Sequence, residues 1–580
     1  MSAPRSQQLV LTDSRWAGFA ALITIALGIT LTLTITTQRT ARALYYLPVL
    51  GPRIASHVPF IRTLYPPLDG VQWMLSYDPA YNHRAYTSGT RAYLAQAFAR
   101  EREDIEIGAA ITIVLAIFMY FLNIRRRHPS TIRGSARWAK MDEIAAMGLV
   151  DNSTPSGVYV GAVEDDSHKL RYLRHTGPEH VLFVAPTRSG KGVGGVVPNL
   201  LAWAHSTVVH DMKGENYALT AAYRRKHFGR VVRFDPGDLT SDRYNPLAEI
   251  RLGTPYAIGD AQNLAKILLD PLGVKSEHWD ASAESLIAAA ILHVLHSEPK
   301  KTLTGVSEFF GDLAFGDQRQ MLQRMLVTEN SYVQTATAQF LQTPEKERGS
   351  IISSAQRELR LYLDPVLARA TETSDFRLAD LQRPGEPLSL YLVVRPVDAA
   401  RTRPLMRMLM TQVLHSLVRE LRPQQRVLLM LDEFPALRLH VLSEMLPYLA
   451  GYNVQTYLLA QDLTQLYDVY GERQSIIANS HIRIFYAPNE LTTAEYISKT
   501  LGDATVFGES TSTSEVEGKV TRSRSIQEVA RPLMTPDELM RMPRDHALIQ
   551  VTGQHPINGR KIFYYEDPEF MKRSRTDGAA

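Results

Sequence analysis

VLFVAPTRSGKGVGGVV, residues 181 to 197, reads as an apolar strand, a short loop of small residues and the start of a helix. That context suits anion binding. Small residues let successive backbone N–H groups converge on a phosphate, and the helix N-terminus behind them adds positive potential. The candidate cradle runs through Thr187, Arg188, Ser189, Gly190, Lys191, Gly192 and Val193, with the Lys191 ammonium reaching the β- and γ-phosphates of a nucleoside triphosphate. Two positions depart from the usual phosphate loop. Ala185 stands where its first glycine belongs, and Gly192 stands where a Ser or Thr would offer Mg²⁺ a hydroxyl. A glycine-rich strand–helix turn with no ligand has the same local pattern, so the loop needs a second motif beside it.

VLLMLDEF, residues 427 to 434, supplies one. Five apolar residues without alternation predict a central strand buried on both faces. Asp432 and Glu433 then fall at its carboxyl end, where open α/β sheets bind ligands. In ATP hydrolysis Asp432 would hold Mg²⁺ through water and Glu433 would polarise the attacking water. An acidic helix cap after a strand is the plainer alternative. Both motifs in this order favour ATP with Mg²⁺ as the ligands. Gln461, after the strand pattern Val454–Ala460, is placed to sense the γ-phosphate or orient water, or is simply a polar strand end.

The chain of 580 residues is long enough for several domains, and its 45% hydrophobic and 21% charged content is that of a folded protein. A net charge of +4 does not by itself indicate nucleic acid. Cysteine is absent, which excludes disulfides, thiolate catalysis and Cys-based zinc sites and suits a reducing compartment. The 17 histidines form no metal-binding pattern. Trp16 to Thr36 carries no charge and is long enough to cross a bilayer as a helix, with Thr hydroxyls bonding back to the preceding turn. Ile107 to Ile124 predicts a second span, closed by Arg125-Arg126-Arg127. A cleaved signal peptide, with Ala41-Arg42-Ala43 as its cleavage-like site, and a buried soluble helix are the respective alternatives. The arginine cluster, together with the need for cytoplasmic ATP, predicts a two-pass membrane anchor over residues 1–128. Its segment 37–106 lies outside, and the rest of the chain is cytoplasmic.

Beyond residue 129, strand patterns recur at 181–184, 207–211, 230–234, 388–394, 427–431 and 454–460, the rhythm of a doubly wound parallel sheet. Helical spacing dominates from about 255 to 385. The expected organisation is a nucleotide-binding domain formed by 129–254 and 386–580, with 255–385 as an inserted all-α domain. Whether Ser510–Ser525 is ordered is open at this stage.

GSARWA (134–139), APTRSGKGVGGVVPNLL (185–201), DMKGEN (211–216), RYNPL (243–247), HWDASAESLIAAAIL (278–292), LDEFPAL (431–437), LLAQDLTQL (458–466) and RPLMTPDEL (531–539) together resemble the type IV secretion coupling proteins of the TraG/TraD class, relatives of FtsK-like DNA pumps. The resemblance covers nearly the whole chain, and glycine after Lys191 is similar to the family's own form of the loop. It implies an α/β, RecA-like P-loop ATPase domain carrying an all-α domain and anchored in the bacterial inner membrane by two transmembrane helices. It also implies relaxase-bound single-stranded DNA or effector protein as cargo, contact with the secretion channel, and a ring, hexameric when active. In such rings a neighbour's arginine often completes the site; Arg483, Arg395 and Arg401 are candidates here, each equally readable as an ordinary solvated or paired arginine. Arg224-Arg225-Lys226 is a candidate DNA-contacting segment or a solvated helix face. Two rival functions share the motifs: a non-translocating receptor using ATP as an assembly switch, and an FtsK-like double-stranded DNA motor. The latter class usually carries more spans and a C-terminal winged helix, and neither is legible here.

Overall fold

The computed structural model describes residues 14–55, 63–123, 131–150, 157–165, 167–269, 280–315, 318–419, 421, 423–516 and 519–575. Its contacts divide into two compact units, Met1–Thr131 and Ile132–Ala580.

In the first unit two long helices, Ser14–Ala43 and Ser88–Asn123, pack along each other. They approach closely because glycine faces threonine in both directions. A Cβ on Gly28 would come within 2.4 Å of Thr112, and one on Gly108 within 2.3 Å of Thr32. The Thr30 and Thr34 hydroxyls donate to the carbonyls of Ala26 (2.9 Å) and Thr30 (2.7 Å), so the helix absorbs its polar groups internally. Between the helices lie β1 (Ile54–Ala55), antiparallel to β2 (Thr63–Leu64), and a helix at Asp69–Tyr77. Leu44, Tyr65, Trp73 and Phe98 form a small core there, with the Tyr65 and Trp73 rings edge-on at 4.8 Å.

Two spans were expected, at 16–36 and 107–124. Among the described residues one stretch, the 23 residues Ala21–Ala43, is long and apolar enough to cross a membrane. The second expected span forms the end of Ser88–Asn123. Its described part, 107–123, is preceded by the charged run Arg100–Glu106, and Ile124 lies outside the described residues.

The second unit is built on an 11-stranded mixed sheet. Its strands are β3 (Val158–Glu164), β4 (Leu170–His175), β5 (His180–Val184), β6 (Ser206–Asp211), β7 (Arg230–Phe234), β8 (Leu388–Val393), β9 (Val427–Leu431), β10 (Val454–Ala460) and β11 (Ser480–Phe485), then β14 (His546–Val551) and β15 (Ile557–Arg560). The strands are ordered β4-β3-β15-β14-β11-β5-β10-β9-β6-β8-β7. From β11 to β7 every pairing is parallel; from β11 outward to β4 every pairing is antiparallel. The strand patterns read from the sequence cover six of the seven parallel strands, β5 to β10, and include neither β11 nor the antiparallel extension.

Alternation along the parallel strands sends residues into two separate cores, so both faces are covered. Leu182, Val184, Leu390, Leu429 and Leu431 join the helices of 257–382 and Ala399–Leu417 on one face. Val181, Phe183, Tyr391, Leu428 and Met430 join Val196, Leu200, Trp203 and Ala221 on the other. The helical stretch thus shares one continuous core with the sheet that it interrupts. Beyond β11, β12 (Asp503–Val516) and β13 (Lys519–Pro532) form a separate two-stranded antiparallel ribbon, in which Ser510 pairs with Ser525.

Arg224 corrects one expectation. It does not lie on a solvated face: it is 0% exposed. It donates to Ser389 Oγ (2.7 Å) and to the carbonyls of Leu200 (2.7 Å), Trp203 (2.7 Å) and His205 (2.9 Å). The helix Glu215–His227 turns this position inward toward β8 and the end of the preceding helix, while Arg225 and Lys226 stay exposed. Burial lowers its pKa to about 10, so it remains charged at neutral pH. Arg224→Met strands these acceptors and is expected to cost about 3 kcal/mol or more in denaturant unfolding. Lys226→Ala should stay within about 0.5 kcal/mol of wild type in the same measurement.

Candidate active site

Three strand ends build the site. β5 delivers the loop, β9 delivers Asp432 and Glu433, and β10 lies between them and delivers Gln461. The Ala185 N–H donates to the Ala460 carbonyl at 3.0 Å, which ties the start of the loop to the strand that ends at Gln461.

The loop turns on two left-handed residues, Arg188 (φ 58°) and Gly190 (φ 96°). A non-glycine residue held at positive φ is a strained position of the kind found at ligand clamps. Ser189 closes the turn by donating both its N–H (3.2 Å) and its hydroxyl (2.6 Å) to the Pro186 carbonyl. Thr187 and Arg188 are exposed. Lys191 opens the helix, and Gly192–Val196 continue it as a π-type turn in which the Val197 N–H reaches back to the Gly192 carbonyl.

The glycines after Lys191 have different reasons. A Cβ on Gly194 would lie 2.6 Å from the Ile562 carbonyl oxygen, and one on Gly195 would lie 2.4 Å from the Phe183 ring. Both positions exclude a side chain. Gly192 meets nothing within 4 Å, so packing does not forbid a hydroxyl there.

Lys191 is brought together with both acids. β5 and β9 are two strand spacings apart, about 10 Å, and the four-carbon stem of Lys191 crosses that gap over β10. Its ammonium pairs with Glu433 and lies 3.7 Å from Asp432 Oδ1. Burial pushes the Lys191 pKa down against the pull of Asp432. Burial likewise pushes Asp432 up, and Lys191 opposes it. Glu433 takes a left-handed conformation (φ 51°) immediately before the short helix Phe434–Leu437. Beneath them His210, 1% exposed on β6, donates Nδ1–H to the Asp432 carbonyl at 2.6 Å and fixes the strand end. Asp211 accepts the N–H groups of Gly214 (2.9 Å) and Tyr217 (2.8 Å), shaping the DMKGEN turn beside the site.

These groups fit a nucleotide with its metal. Asp432 Oδ1 is buried without a hydrogen-bond partner, and open space adjoins Gly192. Lys191 and the N–H groups of 190–193 would hold phosphate, and Asp432 would hold Mg²⁺.

Sequence reasoning missed the far wall of the loop. The segment after β15 runs along it: Lys561 Nζ donates to the Ser189 carbonyl at 2.9 Å and the Tyr564 N–H to the Val193 carbonyl at 3.3 Å. A lone lysine beside aromatic residues reads as a solvated charge, and nothing local marks it as buried. The candidate arginines are all engaged within the chain. Arg395 pairs with Asp398 (3.2 Å) and Asp235 (3.9 Å), and Arg401 with Asp364 (2.5 Å) and Asp398 (3.0 Å). Arg483, on β11, donates to the Ile477 carbonyl at 3.2 Å.

The resemblance seen in the motifs has counterparts among known proteins. The chain is 36% identical over 594 residues to a conjugal transfer protein TraG of Escherichia coli, covering 93% of this chain and 90% of that protein. A second TraG of Escherichia coli is 40% identical over 499 residues (76% and 78%). Protein VirD4 of Agrobacterium fabrum is 29% identical over 475 residues (80% and 70%). Among solved structures, the unbound bacterial conjugative coupling protein TrwBdeltaN70 matches with a TM-score of 0.56 at 18% identity, over 75% of this chain and 94% of that one. The plasmid coupling protein TrwB in complex with ADP and Mg²⁺ matches at 0.53 and 18% identity, over 74% and 94%. At that identity the likeness speaks for the fold. A family model described as type IV secretory system conjugative DNA transfer matches residues 137–578, and the chain belongs to that family.

Proposed function

We propose that this chain is the inner-membrane coupling ATPase of a conjugative type IV secretion system. It recruits relaxase-bound single-stranded DNA, or effector protein, to the channel and drives transfer by hydrolysing ATP. The observation that carries the reading is the Lys191 ammonium held between Asp432 and Glu433 at the ends of β5 and β9. Family membership and relatives named as conjugal transfer proteins add the setting.

In the reaction Lys191 leaves the two carboxylates for the β- and γ-phosphates, guided by the backbone N–H groups of 190–193. Asp432 would hold Mg²⁺ through water, and the ion would neutralise phosphate charge. Glu433, released from Lys191, orients and polarises the attacking water, and Gln461 at the neighbouring strand end senses the γ-phosphate. The Lys191–Glu433 pair therefore keeps the base occupied until a triphosphate competes for the lysine.

The active form is a membrane-anchored homohexamer, with Ser14–Ala43 and the end of Ser88–Asn123 as its two spans and the second unit in the cytoplasm. An arginine from the neighbouring subunit completes each site. DNA is held mainly through phosphates, so binding is salt-sensitive and weakly sequence-specific. A receptor that uses ATP only as an assembly switch would bind nucleotide without sustained turnover, and an FtsK-like motor would prefer double-stranded DNA.

ATP turnover by the full chain in detergent tests the chemistry. Lys191→Ala should abolish nucleotide binding and turnover together. Glu433→Gln should keep binding and lower kcat about 10²-fold or more. Equal turnover in all three proteins would remove hydrolysis from this site.

The raised Asp432 pKa means that protons compete with Mg²⁺ at higher pH than for an ordinary aspartate. The Mg²⁺ concentration for half-maximal turnover should therefore rise as the medium is made acidic, sooner than for an ordinary aspartate. Gly192→Ser should fold as wild type and lower that Mg²⁺ requirement, because the space beside Gly192 admits the hydroxyl. An unchanged requirement would show that Mg²⁺ does not approach this position.

A further inference from the structure

Lys561 is 94% buried yet carries no carboxylate partner within ion-pair distance among the described residues; its relative exposure is 6%. Its ammonium donates to the Ser189 carbonyl at 2.9 Å and sits over the Tyr486 ring, 3.9 Å from the centroid. Its own N–H is anchored on the Asp545 carbonyl at 2.8 Å, while the Asp545 side chain is taken by Arg560. Burying an ammonium on one carbonyl and one ring is costly, so what the contact does to the loop matters.

The Ser189 carbonyl and the Gly190 N–H belong to one planar trans peptide and point in opposite directions. Gly190, at φ 96°, is the residue in the loop that tolerates either orientation of that peptide. Turned the other way, the unit would present a carbonyl oxygen to the phosphate in place of an N–H. Lys561 holds the oxygen from behind. The same segment grips the next turn, with the Ile562 carbonyl against Gly194 and the Tyr564 N–H on the Val193 carbonyl.

We propose that Lys561 is a positioning residue for nucleotide binding, locking the Ser189–Gly190 peptide with its N–H toward the phosphate. The inference rests on the nucleotide reading of the loop and adds a second lysine, from the far end of the chain, to that site. Lys561 acts through the loop backbone, at the Ser189 carbonyl.

A charge-assisted hydrogen bond is stronger than a neutral one. Burial lowers the Lys561 pKa to about 8, with Asp545 pulling the other way, so the grip weakens as pH rises through that value. The groups that act on the ammonium are the Ser189 carbonyl, the Tyr486 ring and the charge of Asp545. Of these the Tyr486 hydroxyl is pushed up by burial, out of the range where it would titrate alongside.

The test is binding of a fluorescent methylanthraniloyl-ATP to the full chain in detergent, with wild type, Lys561→Met, Lys561→Arg and Lys191→Ala. Lys561→Met should bind about tenfold or more weakly, with a nucleotide-free melting midpoint close to wild type. Affinity equal to wild type overturns the proposal, because a merely structural lysine would move the melting midpoint alone. Between pH 7 and 9, wild type should lose affinity several-fold more than Lys561→Arg, whose charge does not titrate and in which Lys191 is unchanged. Equal pH profiles overturn the proposal even if Lys561→Met does not fold. Should wild type bind no better than Lys191→Ala, the nucleotide reading itself fails, a result distinct from either.

Discussion

Much of the second unit is arranged around one ion pair, the Lys191 ammonium against Glu433 with Asp432 at 3.7 Å. Its partners come from residues more than two hundred positions apart in sequence, and the pair exists only because β10 sets β5 and β9 two strand spacings apart. A lysine stem spans that distance and a shorter basic group would not. The pair is mostly buried, so each charge is held by the others and none is at ease alone: burial moves Lys191 and Asp432 toward their neutral forms. Such a cluster is poised for exchange. A ligand that brings several negative charges and a cation would replace both halves of it, which is the exchange the proposed nucleotide reading requires.

The surrounding structure holds the pair in register. His210 secures the carbonyl of Asp432 from β6, Asp211 shapes the turn beside it, and Gly194 and Gly195 let the loop helix sit directly on Phe183 and on the segment after β15. The antiparallel extension has a role in this, because it holds β15 where residues 561–564 at its end reach the loop. Arg224 stitches the neighbouring helix to β8 and to the end of the loop helix by four donated bonds. Fold and site are therefore one arrangement on the loop face of the sheet.

What was legible in the sequence follows from burial. β5, β6, β8, β9 and β10 are buried along their whole length, and β5, β8, β9 and the end of β10 are apolar enough to read as strands without context. β3 and β4 mix buried and open positions and are interrupted by Gly161 and by charged residues such as Arg171 and Arg174, so their pairing is decided by tertiary neighbours. The loop, Asp432 and Glu433 were visible as motifs, because a phosphate cradle and a paired acidic strand end need fixed local spacing. Lys561 and Arg224 were not. Each is a basic residue whose burial depends on partners distant in sequence, Tyr486 and Ser189 for one and Ser389 for the other. The end of Ser88–Asn123 was legible as an apolar run, and its described part, 107–123, is helical throughout.

The central claim is that Lys191 exchanges carboxylates for phosphates, and a structure of the full chain with ADP, beryllium fluoride and Mg²⁺ tests it most directly. The account predicts Lys191 Nζ within hydrogen-bond distance of the fluoride mimic, parted from Glu433, with Asp432 reaching the metal through water. A nucleotide bound elsewhere, with Lys191 still paired to Glu433, would contradict it.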